Sequence, residues 1–288
     1  MRKYINHSIY FEKKRYINLE RLYLLFVDLK MKTFLYYIWN FWCYSIMSFI
    51  FIVSAFIGLL LSFISHNLFS FFTFYLAKVI TFFLAVKTVV HGDFPIKDNE
   101  SYIYIANHAS YLDPVFTTYL IRNKHKYLGK AEILSWPIFG FVVKNYVVAV
   151  KRELKQSRSQ SMDLMKQNLL DGFSIVLYPE GGWKDETQQH PYDIKPNKIL
   201  NQFRNGAFRL SIDSKKKIVP ISLSNVHEIH SSNTMMFKSG KVTMRIHKPI
   251  DPKDFLFNEE GVRALNEKCY SIIYKDLIKY DTRKKKFQ

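Results

Sequence analysis

From Thr33 to Ala77 the chain carries no Asp, Glu, Lys or Arg, and the window is dense in Phe, Ile, Leu, Tyr and Trp. A membrane-spanning helix needs about 20 apolar residues, so the window has room for two. Ser65-His66-Asn67 forms a polar break near its middle. Helices of soluble proteins rarely run this long without a charge. A secretory signal core is shorter and leads to a small-residue cleavage site, which is not evident here. The pattern predicts a membrane-embedded helical hairpin over 33–90, preceded by a basic segment, 1–32. His91-Gly92-Asp93-Phe94-Pro95 punctuates the chain and marks the start of a second region, 91–288.

In that region the periodicity changes. Alternating or continuous apolar runs predict strands at 101–106, 145–150, 173–178, 217–223 and 241–247. Helical spacing appears at 114–122, 153–171, 203–213 and 259–280. Strands alternating with helices predict an α/β sandwich around a mixed or parallel sheet. Residues 183–201 contain Pro191, Pro196 and many polar groups and read as a long surface loop. No internal repeat is visible.

Composition sharpens the membrane reading. Lys and Arg number 42 against 24 Asp and Glu, a formal charge of +18, which favours an anionic partner. Nucleic acid and an anionic membrane surface both qualify, and the apolar window selects the membrane. Arg2, Lys3, Lys13, Lys14, Arg15, Arg21, Lys30 and Lys32 precede the window; the run Arg283-Lys284-Lys285-Lys286 lies near the other end. Positive charge on both flanks of a hairpin places both on the cytoplasmic side. The basic tail reads equally as a solvated end or a lipid contact. Met31 is an alternative start, so no function is placed on residues 1–30. Cys43 lies in the apolar window and Cys269 in a helical run; two such cysteines exclude a disulfide framework or zinc ribbon and read as buried and inert.

The chemistry concentrates after the first strand, in Asn107-His108-Ala109-Ser110-Tyr111-Leu112-Asp113. A histidine and a carboxylate five positions apart at a strand end form a minimal general-base unit: the carboxylate fixes the tautomer and steadies the imidazolium. A second reading stays open. Ser110-x-x-Asp113 also fits a capping box, and Asp113-Pro114 fits an N-cap followed by proline, with His108 an ordinary loop residue. Downstream, Tyr178-Pro179-Glu180-Gly181-Gly182 follows an apolar strand; glycines there allow close approach to the backbone or form a plain turn. No G-x-S-x-G elbow is present. His227-Glu228-Ile229-His230 falls one residue short of H-E-x-x-H, and no metal is expected.

The first block resembles the N-H-x-x-x-x-D motif of the glycerolipid acyltransferases. Further blocks follow in the family's order. Lys130-Ala131-Glu132 through Pro137 and Gly140 looks like K-x-E-L-x-x-x-P-x-x-G. Val147 to Arg152 resembles the second motif, which ends in arginine. Tyr178-Pro179-Glu180-Gly181-Gly182-Trp183-Lys184 resembles F-P-E-G-T-R-S. Phe203 to Arg209 and Ile218-Val219-Pro220-Ile221 match the K-x-G-A and V-P-[IV] elements. The resemblance covers about residues 91–250. It implies an acyltransferase-type α/β fold, and transfer of a fatty acyl group from an acyl-carrier-protein or coenzyme A thioester to a lysolipid hydroxyl, with no cofactor. His108 would be the base and Asp113 its partner. Asn107, Lys130, Arg152, Glu180, Gly181, Lys184 and Arg204 would form the substrate site. The third motif departs from the pattern: Gly182 replaces threonine and Trp183 replaces arginine, removing one anion contact, which Lys184 supplies only as a point charge. Arg204 stands where lysine is usual. The resemblance points first to lysophosphatidic acid as acceptor; a different lysolipid, such as an acylated amino acid, is the alternative. A basic nucleic-acid-binding membrane protein is the non-enzymatic rival. It rests on charge alone and lacks a binding motif, so no nucleic acid is expected.

Overall fold

A computed structural model describes residues 2–92, 100–136, 140, 143–144, 146–151, 154–181, 199–230 and 235–283. Contacts divide the chain into two compact units, 1–46 and 47–288. The first holds the leading part of helix α1 (Arg2–Ile64). Among the described residues one helical stretch, Val27–Gly58, is long and apolar enough to cross a membrane, with a mean hydropathy of 1.9.

The second unit begins with the end of α1 and a helical hairpin. Ser65 is the break: its backbone is extended, and its hydroxyl accepts the Asn67 N–H to cap α2 (His66–Phe83). Gly58 lets the two helices meet, because a Cβ there would stand 3.1 Å from the Phe69 ring. The expected second span is only partly membrane-like. Phe69, Phe74, Ala77 and Ile80 on α2 are buried, and the helix packs on β1 (Val86–His91) and on α3 (Asp113–Leu120). Its other face exposes Leu68, Phe71, Tyr75, Val79 and Phe82, a stripe at helical spacing.

Seven strands form one sheet. Besides β1 they are β2 (Ile103–Ala106), β3 (His125–Lys130), β4 (Val147–Val150), β5 (Ser174–Leu177), β6 (Ile218–Ser224) and β7 (Gly240–Ile246), in the order β1-β7-β6-β2-β5-β3-β4. The five strands from β6 to β4 run parallel. β7 is antiparallel to β6, and β1 is parallel to β7. The hairpin boundary expected at residue 90 therefore moves: β1 already belongs to the sheet. β1 and β3 escape a periodicity reading because each mixes polar and apolar residues, VKTVVH and HKYLGK.

Helices α4 (Lys155–Leu170), α5 (Gly206–Ser214) and α7 (Glu259–Tyr280) cover one face, and the one-turn α6 (Val226–Ile229) follows β6. Ile103, Ile105, Ile175, Met165, Leu169, Phe208, Leu265 and Ile273 interlock there. β2 lies at the sheet's centre and is fully buried, as the continuous apolar run of a two-sided parallel strand requires. Its carboxyl end is one side of the edge on which such sheets carry their sites.

The two faces of α2 give contrasting expectations. Phe74 is 5% exposed and lies under the Lys78 ammonium at 4.4 Å from the ring. Phe74→Ala should cost about 3 kcal/mol, read as a lowered urea midpoint in detergent. Phe71→Ala, on the exposed stripe, should change that midpoint by no more than about 0.5 kcal/mol.

Candidate active site

The loop between β2 and α3 is organised around one atom. Oδ2 of Asp113 accepts three hydrogen bonds: from His108 Nδ1 at 2.7 Å, from the Ala109 N–H at 2.6 Å and from the Ser110 N–H at 2.8 Å. Asp113 is fully buried and opens α3 with Pro114 behind it. Ser110 accepts the Asp113 N–H through its carbonyl, and its hydroxyl accepts the Leu112 N–H. The hydrogen bonds of the expected capping box are present around Ser110, but the N-cap of α3 is Leu112, without a side-chain cap bond, and Asp113 is the first helical residue rather than the N-cap. The backbone bonds that begin α3 set the carboxylate, and the carboxylate sets the ring.

A carboxylate can only accept, so a neutral His108 ring in this contact would donate from Nδ1 and leave Nε2 without a proton. The ring stacks on Tyr178 with centroids 4.2 Å apart, and the side chain is 14% exposed, so an edge reaches solvent. The Tyr178 hydroxyl, absent from the usual phenylalanine, lies 2.9 Å from Thr117 Oγ1, which meets the Tyr127 hydroxyl at 2.7 Å. Burial pushes the Tyr178 phenol well above its usual range and Tyr127 up to about 12. Both hydroxyls are neutral partners in a buried hydrogen-bonded chain.

Asn107 and Glu180, expected to meet substrate, are turned to the backbone. The Asn107 amide donates to the Leu223 carbonyl and accepts the Leu223 N–H, each at 2.8 Å, tying β2 to β6. Glu180 is 5% exposed. One of its oxygens accepts the His108 N–H at 2.7 Å and the other the Asn201 N–H at 2.9 Å. Burial raises the Glu180 pKa; these two hydrogen bonds and the positive charge of Arg283 oppose the rise. The physical reason for both reorientations is that a buried polar side chain must find partners, and main-chain groups at the strand ends are the nearest.

Gly181 and Arg204 do come together. Gly181 has φ +84, and a Cβ there would stand 2.5 Å from Arg204 Nε and 2.6 Å from Cζ. Only glycine allows the guanidinium to lie against this turn. The Arg204 N–H donates to the Pro179 carbonyl at 2.9 Å, fixing the approach. Lys130 ends β3, on the same sheet edge as His108 but two strands from β2, and is exposed. Arg152, Gly182, Trp183 and Lys184 lie outside the described residues.

Among the described residues no other histidine and carboxylate are arranged as a relay. Ser222, His247 and Asp276 are neighbours, yet Ser222 Oγ (2.8 Å) and Asp276 Oδ2 (3.4 Å) both address His247 Nε2. A relay needs the two partners on opposite ring nitrogens, and Ser222 is 2% exposed. Cys269 is fully buried, and burial holds its thiol well above the usual range. His230 packs on Phe237, and among the described residues no group of three metal-ligating side chains assembles.

The family model described as Acyltransferase matches residues 87–224. A 1-acyl-sn-glycerol-3-phosphate acyltransferase of Cocos nucifera is 25% identical over 183 residues, covering 60% of this chain and 53% of that protein. The human 1-acyl-sn-glycerol-3-phosphate acyltransferase beta is 23% identical, over 66% of this chain and 64% of its own length. A lyso-ornithine lipid O-acyltransferase of Rhizobium meliloti is 28% identical over 109 residues, 38% of this chain and 36% of that protein. This chain spans between about a third and two thirds of the length of these relatives. Among solved structures, the 1-acyl-sn-glycerophosphate (LPA) acyltransferase PlsC of Thermotoga maritima shares the fold, with a TM-score of 0.70 at 18% identity over 86% of this chain and 96% of that one.

Histidine-selective 15N spectra above the imidazole titration should show His108 as the Nδ1–H tautomer, a preference lost in Asp113→Ala. Asn107→Ala should cost about 2–4 kcal/mol, because it leaves a buried N–H and C=O of Leu223 unpaired. Chemical denaturation of the same proteins measures that cost.

Proposed function

We propose that this chain is a member of the glycerolipid acyltransferase family and that it moves a fatty acyl group from an acyl thioester to the hydroxyl of a lysolipid, in keeping with the family model and the relatives it matches. The observation that carries this reading is the His108 ring, with Nδ1 bound to buried Asp113 and its edge open. In the reaction the acceptor hydroxyl attacks the thioester carbonyl carbon while Nε2 of His108 takes its proton. Asp113 steadies the imidazolium. The tetrahedral intermediate then expels the thiolate, which recovers the proton from His108 as the ester forms. Transfer is direct, since no described serine or cysteine is presented to His108 as a nucleophile.

Lysophosphatidic acid is the proposed acceptor and phosphatidic acid the product, in keeping with the names of the longer-matching relatives. Arg204 against Gly181 supplies one guanidinium for the phosphate; Lys130, Arg152 and Lys184 are the other candidates. A second reading rests on Trp183 in place of the third-motif arginine and on the lyso-ornithine lipid relative: an acceptor without a phosphate, for which an indole is a suitable wall. The donor is an acyl-carrier-protein or coenzyme A thioester.

The proposed setting is a membrane. The Val27–Gly58 stretch and the exposed stripe of α2 supply apolar surface, and the flanking lysines and arginines favour the cytoplasmic leaflet.

Purified protein, labelled acyl thioester and a panel of lysolipids test the chemistry, with products identified by mass spectrometry. His108→Ala should lose nearly all transfer and Asp113→Asn roughly a hundred- to ten-thousandfold, with melting behaviour retained in the first. Arg204→Ala should raise the KM for a phosphate acceptor by about ten- to a hundredfold and leave a phosphate-free acceptor unaffected; faster acylation of the latter by the unaltered protein selects the second reading. Membranes washed with high salt and alkaline carbonate should retain the protein. Release by salt alone would mean that charge, not insertion, holds it.

A further inference from the structure

Helix α2 is flanked by cations that no acidic group answers. Phe74 is buried where α2 packs on α3, and two cations share its ring: Lys78 Nζ stands 4.4 Å from the centroid and Arg122 Cζ 5.2 Å. Lys78 also lies 5.6 Å from the Tyr75 ring and 5.4 Å from the ring of Tyr119 on α3. Arg122 is exposed and stands just beyond the end of α3. Neither side chain makes an ion pair or a hydrogen bond among the described residues. α2 contains no Asp or Glu, and the acidic residue of α3 is Asp113, buried and bound to His108. A similar pair occurs near the start of α2, where Lys124 and Lys126 stand 4.5 and 4.6 Å from the Phe173 ring. There, however, Lys124 already donates to the Asp171 carbonyl at 2.9 Å. At Phe74 the cations have only rings.

Phe71, Phe74, Tyr75 and Arg122 line a cleft of about 60 Å³, room for a group of a few non-hydrogen atoms. Phe71 and Tyr75 belong to the exposed stripe of α2. The cleft thus joins two kinds of surface: aromatic rings that continue into an apolar stripe, and two cations set beside them. A ring face attracts a cation without neutralising it, and two cations on one ring repel each other. An anion between them relieves both conditions. We propose that this cleft is a head-group site for an anionic phospholipid of the bilayer. The phosphate sits between Lys78 and Arg122, and the glycerol and acyl chains run along Phe71 and Tyr75. A phospholipid satisfies both surfaces, where a soluble phosphate would leave the rings in water.

The site also sets how α2 meets the membrane. Cations without partners are excluded from hydrocarbon, so Lys78 and Arg122 stand at the level of the phosphates. α2 then lies along the surface with only its stripe immersed. Both ends of the helix agree with this: Phe69 stacks on Tyr146 at 3.5 Å near one, and β1 begins three residues after the other.

This inference rests on the membrane setting proposed above and not on acyl transfer. Native mass spectrometry of the full chain, released from a zwitterionic detergent, counts the lipids it retains. With dioleoylphosphatidylglycerol and dioleoylphosphatidylcholine offered together, the protein should keep the first in preference. Lys78→Gln and Arg122→Gln should each weaken that retention about tenfold or more, while Lys78→Arg and Arg122→Lys keep most of it. Lys253→Gln, which removes an exposed cation ahead of α7, and Arg204→Ala should leave it unchanged. Equal retention of the two lipids, or no loss in either cleft glutamine variant, overturns the proposal. So does an equal loss in Lys253→Gln, which would mean diffuse charge, or a loss confined to Arg204→Ala, which would mean binding at the acceptor site. Displacement by inorganic phosphate at the concentration of the lipid would assign the cleft to a soluble anion and overturn it as well. If Lys78→Gln does not fold, Arg122→Gln, at an exposed position, decides. Resistance to alkaline carbonate should persist in both variants, because the Val27–Gly58 stretch carries insertion. A protein that carbonate releases, yet that selects phosphatidylglycerol through Lys78 and Arg122, would end the insertion reading and leave this one standing.

Discussion

One oxygen atom carries the site. Asp113 Oδ2 binds the His108 ring and two successive backbone N–H groups within 2.8 Å. Each hydrogen bond to a charged group contributes about 1.5–3 kcal/mol, and all three pull on a residue that begins a helix. The loop cannot change shape without moving the imidazole, and the imidazole cannot rotate without unmaking the loop. The tautomer, the ring plane and the start of α3 are therefore a single variable. Stacking of the ring on Tyr178 at 4.2 Å limits what remains.

Around this atom most polar side chains serve the main chain. Asn107 spends its whole amide on Leu223, Glu180 both oxygens on His108 and Asn201, and Asn225 three groups on the segment 280–282. Parallel strands end in unpaired donors and acceptors, and at a buried edge those groups must be satisfied from side chains. The residues closest to the chemistry are thus those that convert a ragged sheet edge into a fixed frame. The cost is a cluster of carboxylates out of water, offset at Asp281 by two hydrogen bonds from the Arg283 guanidinium.

The sequence carried much of this frame in legible form. The strand before Asn107 ran continuously apolar because β2 is covered on both faces, and α7 was visible end to end at 259–280 because its buried stripe is regular. The Ser65 break was visible as three polar residues in an apolar window. Two strands were not, since β1 and β3 sit toward the sheet's margins, where lysine and histidine tolerate the ladder. Site residues divided the same way. His108 and Asp113 stood out because their spacing is a local fact. The roles of Asn107 and Glu180 depend on partners 116 and 72 positions away, and Arg283, which binds Asp281, sat at the head of a lysine run whose natural reading is solvated. Spacing along the chain can report a dyad; it cannot report which buried oxygen a distant backbone amide will find.

The Glu180 clamp also ties two distant parts of the chain together. Its carboxylate holds Asn201, while the Arg204 N–H is held by the Pro179 carbonyl, so the stretch that begins at Pro179 and the stretch that ends at Arg204 are stapled side by side. Any sequence between residues 180 and 201 therefore has to close a loop whose end-to-end distance is already set by these bonds.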